Sequence, residues 1–188
     1  MIRILRDFAT MTQSSPVSSQ TGKVASKIRV LVVDDDEDAA KGVAELLEAE
    51  GHTVAITHDG TNALRSAVMM VPDVALVDLR LGQEWGLDVI EALKGQFPDL
   101  VCIVMTGESD SSTVIRAMRR GVHDYLTKPF DPEHLISIID RASDRVRLQE
   151  ERRQILDELA TARDKAELAS RSKTEFLTRL SGELGEQF

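Results

Sequence analysis

Cysteine, tryptophan and tyrosine each occur once in this chain of 188 residues, and aromatic residues make up only 4% of it. The single cysteine, Cys102, cannot form an internal disulfide, which suits a reducing compartment. No apolar run approaches the ~18 residues that indicate a membrane span. Charges at Arg3, Arg6 and Asp7 interrupt the first residues, so a secretory signal is not indicated. We therefore expect a cytoplasmic protein without a membrane span.

The chain also has no excess of positive charge. Residues 141–188 carry ten basic and ten acidic side chains, so the whole net charge of −9 lies in residues 1–140. An acidic domain repels phosphate backbones, and a neutral segment of alternating signs is typical of a solvated helix. We therefore expect no binding to DNA.

Apolar, β-branched runs alternate with helical patterns between residues 28 and 146. The predicted strands are 28–33, 53–56, 74–77, 100–105 and 125–126, and the predicted helices are 39–47, 62–70, 87–93, 114–118 and one that starts near 131. Helices that connect successive strands in this way favour right-handed crossovers and a doubly wound parallel α/β sheet. The predicted domain, 28–146, follows a leader over 1–27 that is poor in apolar residues and predicted to be flexible.

Carboxylates follow two of the predicted strands. Asp34 and Asp35 end the first, and Asp78 ends the third. Since the carboxyl ends of parallel strands share one edge of the sheet, these three acids should meet in one pocket. Three carboxylates so close repel one another unless a cation intervenes, and an all-oxygen site suits Mg²⁺. Three separately solvated loop aspartates are the alternative.

A hydroxyl and an ammonium group follow the last two strands. Thr106 ends the fourth strand, and Lys128 follows the fifth. With the metal they would form a cradle for the dispersed negative charge of a transferring phosphoryl group. Asp78 would be the nucleophile, and the product would be an acyl phosphate.

These motifs, together with the run Tyr125-Leu126-Thr127-Lys128-Pro129-Phe130, make the segment resemble a receiver domain of bacterial two-component response regulators. The resemblance implies a flavodoxin-like, five-stranded sheet of order 2-1-3-4-5. It also implies that Asp78 accepts phosphate from the histidine of a partner kinase or phosphotransfer protein.

The same resemblance implies roles for individual residues. Asp35, Asp78 and the backbone carbonyl of Arg80 would bind Mg²⁺, with Asp34 assisting. Thr106 and Tyr125 would report phosphorylation by moving inward, and the Lys128–Pro129 bond would be cis.

The chain departs from the family pattern after Asp78. Gly82 stands where a proline is usual, and Trp85 precedes Gly86 where a small acidic residue is common. We expect altered loop stiffness without loss of the chemistry. Arg80 and Glu108 could pair across the pocket and slow hydrolysis, or both could be solvated. The four histidines show no ligand spacing, so we interpret them as surface or strand-edge residues.

Residues 147–188 are predicted to form a coiled-coil helix. Neither glycine nor proline occurs between Glu133 and Ser181, and the seam positions follow a four-three spacing. They are Leu148, Arg152, Ile155, Leu159, Ala162, Ala166, Ala169, Lys173, Phe176 and Leu180. A lone helix of this kind is marginal, so we expect a homodimer. A single helix folded back on the domain is the alternative.

The end of this helix is similar to the dimerisation helix of histidine kinases, with Gly182 where that family has its phosphorylated histidine. The sequence thus predicts a phosphoacceptor, not an enzyme, that signals through its helical tail. A remnant of a hybrid kinase, a phosphate sink, and a metal-dependent phosphatase remain as alternatives. Against the phosphatase, Arg80 occupies the place of a general acid.

Overall fold

The computed structural model describes residues 27–107 and 120–185. In chain order the elements are β1 (Arg29–Val33), α1 (Glu37–Ala49), β2 (Thr53–Thr57), α2 (Gly60–Met70), β3 (Val74–Asp78), β4 (Arg80–Leu81), β5 (Glu84–Trp85), α3 (Gly86–Gln96), β6 (Val101–Thr106), β7 (Asp124–Thr127) and α4 (Pro132–Gly185).

Five of these strands form one parallel sheet in the order β2-β1-β3-β6-β7. Counted by position in the sheet, this is the predicted 2-1-3-4-5 order, so the expected doubly wound fold is confirmed. Each face of the sheet carries its own apolar cluster. Strand β6 is buried at every position, as a continuous apolar run between two layers of helices requires.

Most element ends agree with the sequence. Helix α1 stops before Gly51, whose φ of +89° places it in the left-handed region that favours glycine. The prediction that Gly95 ends α3 is wrong, because the helix continues through Gln96. The predicted helix at 114–118 and the leader before residue 27 lie outside the described residues.

A short antiparallel hairpin of β4 and β5 follows Asp78, and the sequence pattern did not predict it. Gly82 occupies its turn with a φ of +60°, a conformation in which a side chain would be strained. The position that departs from the family pattern is therefore the one that allows the hairpin to turn.

Helix α4 is continuous over 54 residues, which corresponds to about 80 Å. Leu135, Ile138 and Ala142 are fully buried against the sheet, whereas every residue from 151 to 175 is exposed. At about 100° per residue, Ile155 and Leu159 project from a different side of the helix, roughly 90–130° around the axis from the buried residues. Among the described helices, none is both long and apolar enough to cross a membrane.

Candidate functional site

The candidate site lies at the carboxyl edge of the parallel sheet. Asp34 and Asp35 follow β1, Asp78 is the last residue of β3, and Thr106 is the last residue of β6. Lys128 follows β7, which pairs with β6 so that Thr106 faces Thr127. Strand pairing alone therefore brings residues that are far apart in sequence to one edge.

Three carboxylates meet at this edge. One oxygen from each of Asp34, Asp35 and Asp78 lies within 4.8 Å of the others. Asp34 is fully buried, Asp78 is half-buried and Asp35 is exposed. A small group of carboxylate oxygens that opens to water is the donor set that a hard divalent cation such as Mg²⁺ prefers. These residues therefore fit the predicted metal.

Lys128 joins two of the acids. Its Nζ lies 2.6 Å from Asp34 Oδ2 and also donates a hydrogen bond to Asp78 Oδ2. Burial alone would lower the pKa of Lys128, but the two carboxylates outweigh it and hold that pKa above its ordinary value. For Asp34, burial dominates and raises the pKa, while the hydrogen bond from Lys128 opposes it. The ammonium group thus provides the local positive charge at the site.

Backbone amides of the hairpin donate hydrogen bonds to the carboxylates of the pocket. The Arg80 amide donates to Asp78 Oδ1 at 3.0 Å, and the Gly82 amide donates to Asp35 Oδ2 at 3.1 Å. The amide of Gly86 in turn donates to the Leu79 carbonyl at 2.9 Å. The hairpin therefore contacts the nucleophile candidate and one metal-ligand candidate at once. Glu108, the proposed partner of Arg80, lies outside the described residues.

The histidines do not all fit the surface prediction. His52 is only 7% exposed, and its Nδ1 accepts from the Ile28 amide at 3.4 Å, so it is not a surface residue. It does lie at a strand edge, directly before β2. Burial lowers its pKa. His58 is exposed, yet its Nδ1 lies 2.8 Å from the backbone carbonyl oxygen of Asp34. No spacing rule reveals that contact, because it depends on β1 and β2 ending side by side.

The two candidate switch residues differ in exposure. Thr106 is 2% exposed, whereas Tyr125 is 38% exposed. Near Tyr125, the Asp124 carboxylate forms an ion pair with Arg141 on α4. The Lys128–Pro129 peptide bond is cis, which confirms that prediction.

Doubly wound parallel sheets bind their ligands outside the carboxyl ends of the strands, which is where the three carboxylates and Lys128 lie. The family described as "Response regulator receiver domain" matches residues 30–140, which is more than half of the chain. The chain therefore belongs to the response regulator receiver family of two-component systems.

Several named proteins share this domain. The acid tolerance regulatory protein ActR of Sinorhizobium medicae (strain WSM419) is 38% identical over 118 residues, which cover 62% of this chain and 61% of ActR. The nitrogen assimilation regulatory protein NtrX of Azorhizobium caulinodans is 30% identical over 128 residues, covering 67% of this chain and 28% of NtrX. The chain thus spans less than two thirds of the length of either relative.

A solved structure agrees with the assignment. The receiver domain of NtrX from Brucella abortus superposes with a TM-score of 0.59 at 32% identity, covering 61% of this chain and 98% of that domain. The similarity is therefore to an entire receiver domain. The rest of this chain has no counterpart in that structure.

Proposed function

We propose that this protein is a phosphoacceptor response regulator in which Asp78 receives a phosphoryl group from a partner histidine kinase or phosphotransfer protein. One observation carries the proposal: Lys128 bridges Asp34 and Asp78 within a pocket whose three carboxylates lie within 4.8 Å of one another. Such a site combines a nucleophilic oxygen, a fixed positive charge and a place for a divalent cation.

The transfer step follows from this arrangement. An Asp78 carboxylate oxygen attacks phosphorus, an O–P bond forms, and the P–N bond of the donor's phosphohistidine breaks. The bonding electrons pass to the departing imidazole nitrogen. Mg²⁺ held by Asp34, Asp35, Asp78 and the Arg80 carbonyl would neutralise phosphoryl oxygens. Lys128 and the Thr106 hydroxyl would stabilise the remaining charge.

We infer that the chain accepts one phosphoryl group and does not turn over phosphate esters. A phosphatase that uses an aspartate nucleophile would need a general acid to protonate its leaving group. Arg80, two residues after Asp78, cannot supply a proton because a guanidinium group stays protonated. The product would then persist on Asp78 as a signal.

The signal would pass from β7 to α4. We propose that phosphorylation draws Thr106 towards the new phosphoryl oxygens and that Tyr125 moves inward. The ion pair between Asp124 and Arg141 connects the same strand to α4, so a change around Tyr125 can shift that helix. Because α4 is unbroken, its exposed part would respond with it.

The exposed part of α4 would form a homodimer. Leu148, Ile155 and Leu159 are 53%, 57% and 61% exposed and lie on the predicted seam, so a second helix would remove them from water. In a parallel, in-register pair, Glu158 of one helix faces Arg163 of the other across the seam. An antiparallel pair with the same overlap would bring Arg163 against its own copy. A parallel, in-register pair also sets Arg152 and Lys173 of the seam against their own copies, so charge does not decide between the two arrangements.

The output would be contact with another protein through these residues. Residues 1–140 hold the whole net negative charge, and residues 141–188 are neutral. Neither surface suits a phosphate backbone. Some relatives, such as MtrA of Mycobacterium leprae, are named as DNA-binding response regulators, but the charge of this chain favours a protein partner.

Incubation with acetyl phosphate and Mg²⁺, followed by intact mass measurement, tests the proposal. We expect one added phosphoryl group on the unmodified chain and none on Asp78→Ala. Glu48→Ala, which removes an exposed acid on α1, should be modified as the unmodified chain is. Phosphorylation that survives in Asp78→Ala, or that needs no divalent cation, would contradict the proposal. Steady release of product from a chromogenic phosphate ester would favour the phosphatase instead.

A further inference from the structure

We propose that His58 is a positioning residue for the metal site: its ring N–H fixes the peptide group between Asp34 and Asp35. A carbonyl oxygen can only accept, so the 2.8 Å contact requires that His58 Nδ1 carry the proton. This inference rests on the proposed function, because it concerns the same pocket. His58 would touch neither the phosphoryl group nor the metal.

The other contacts of Asp34 show why this carbonyl matters. The Asp34 amide donates to the Thr57 carbonyl at 3.1 Å, so β2 holds the residue on its amino side. Asp34 Oδ1 accepts from the Asp36 amide at 3.1 Å, and Oδ2 accepts from Lys128 at 2.6 Å. With His58 on the carbonyl, the backbone donor and acceptor and both carboxylate oxygens of Asp34 have a partner.

The Asp34 carbonyl belongs to the peptide plane that leads into Asp35. Asp35 is exposed and lies beyond the end of β1, so no strand pairing fixes the direction of its side chain. Its carboxylate reaches across to the Gly82 amide at 3.1 Å. Rotation of the preceding peptide plane would move that carboxylate away from Asp34 and Asp78. The His58 hydrogen bond resists this rotation.

His58 does not contribute to the apolar core. It is exposed and follows the last residue of β2, and it is not among the residues that form either apolar cluster. Its substitution should therefore leave the described core intact. Two variants isolate the donor. His58→Asn places an amide N–H at nearly the position of Nδ1, whereas His58→Leu has similar bulk and no donor.

The experiment measures Mg²⁺ binding to the full chain by titration calorimetry at one fixed pH. Groups that orient a metal ligand typically affect metal affinity by about tenfold or more. We expect His58→Leu to weaken Mg²⁺ binding by about tenfold, and His58→Asn to remain within about twofold of the unmodified chain. His134→Leu makes the same change at an exposed histidine of α4 and should leave the affinity unchanged.

Phosphorylation by acetyl phosphate gives a second readout. In His58→Leu the Mg²⁺ concentration for half-maximal rate should rise by about tenfold, while the rate at saturating Mg²⁺ should recover to within about twofold. Unchanged Mg²⁺ affinity in His58→Leu would overturn the inference, as would an asparagine variant as weak as the leucine variant. Neither result would affect the role of Asp78. Failure of the unmodified chain to bind Mg²⁺ would overturn the proposed function and this inference together.

Discussion

Gly86, the first residue of α3, lies directly against the backbone carbonyl of Asp78. A Cβ atom at Gly86 would overlap that carbonyl oxygen and lie 2.9 Å from the carbonyl carbon and 3.1 Å from the Leu79 Cα. The hairpin of β4 and β5 lies between these two residues, so the chain passes close to itself beside the candidate nucleophile. Only glycine leaves room for this crossing.

Gly86→Ala should therefore disturb the site and the fold together. Backbone atoms, which cannot rotate away, oppose the added methyl group, so we expect a loss of about 2 kcal/mol or more in the free energy of unfolding. Gly95→Ala is the matched control, because nothing lies within 4 Å of its Cβ position in the same helix. It should stabilise the protein by up to about 1 kcal/mol. Equal effects of the two changes in urea denaturation would show that the close approach is unimportant.

Lys128→Ala should separate phosphorylation from metal binding. Loss of the ammonium group removes the charge that Asp34 and Asp78 share, so we expect the rate of phosphorylation by acetyl phosphate to fall by about 100-fold. The carboxylates lose a competing cation at the same time, so Mg²⁺ should bind several-fold more tightly. Lys41→Ala removes an exposed lysine of α1 and should change neither quantity. A parallel decrease in both would contradict the assigned role of Lys128.

Tyr125 should become less exposed when a phosphoryl analogue occupies the site. It is the only tyrosine in the chain, so its ring can be followed by NMR with a soluble paramagnetic agent. We expect beryllofluoride with Mg²⁺ to reduce the relaxation enhancement of this ring from the level expected at 38% exposure. In Thr106→Ala the analogue should still bind while the ring stays exposed. If the Tyr125 ring becomes as protected in Thr106→Ala as in the unmodified chain, Thr106 is not needed for the movement of Tyr125.

Leu159→Glu should dissociate the predicted dimer, because it places a charge on the seam that Leu159 now leaves 61% exposed. Ala160→Glu introduces the same side chain at the next residue, off the seam, and serves as the control. Light scattering after size exclusion should show a dimer for the unmodified chain and for the control, and a monomer for Leu159→Glu. A monomer in all three cases would remove the coiled-coil proposal and leave the phosphoacceptor proposal standing.

Cys102 should make the protein less stable in alkaline solution. Burial raises the pKa of its thiol from 9.0 to about 12. Below pH 9 the thiol is protonated in both the folded and the unfolded chain, so it does not change the free energy of unfolding with pH. As the pH rises from 9 to 12, the unfolded chain loses this proton and the folded chain does not, so the free energy of unfolding falls by about 1.4 kcal/mol per pH unit. Denaturant titrations of Cys102→Ala should lack this component of the slope.

Sequence patterns predicted the sheet because β3 and β6 are buried on both faces and therefore contain uninterrupted apolar runs. They also placed Asp34, Asp78, Thr106 and Lys128 at one edge, since each residue ends or follows a strand. Residue type and position within a strand were sufficient for that inference.

Tertiary contacts between loops could not be read in the same way. The hairpin after Asp78 depends on a two-residue turn at Gly82 and on the close passage of Gly86. The bond from His58 to Asp34 requires two neighbouring strands to end at the same level. His52 is a polar residue that is nevertheless buried, and its ring accepts a hydrogen bond from the Ile28 amide. Each of these features arises from three-dimensional proximity and leaves no periodic signal.

The unbroken course of α4 has a geometric consequence for any engineered change of length. A single residue inserted near Leu148 would turn everything beyond it by about 100° about the helix axis, whereas seven inserted residues would restore nearly the same azimuth. The orientation of the receiver domain relative to a partner bound at the far end of α4 therefore depends on the exact number of residues between them. Spacer variants of graded length would show whether that orientation carries the message.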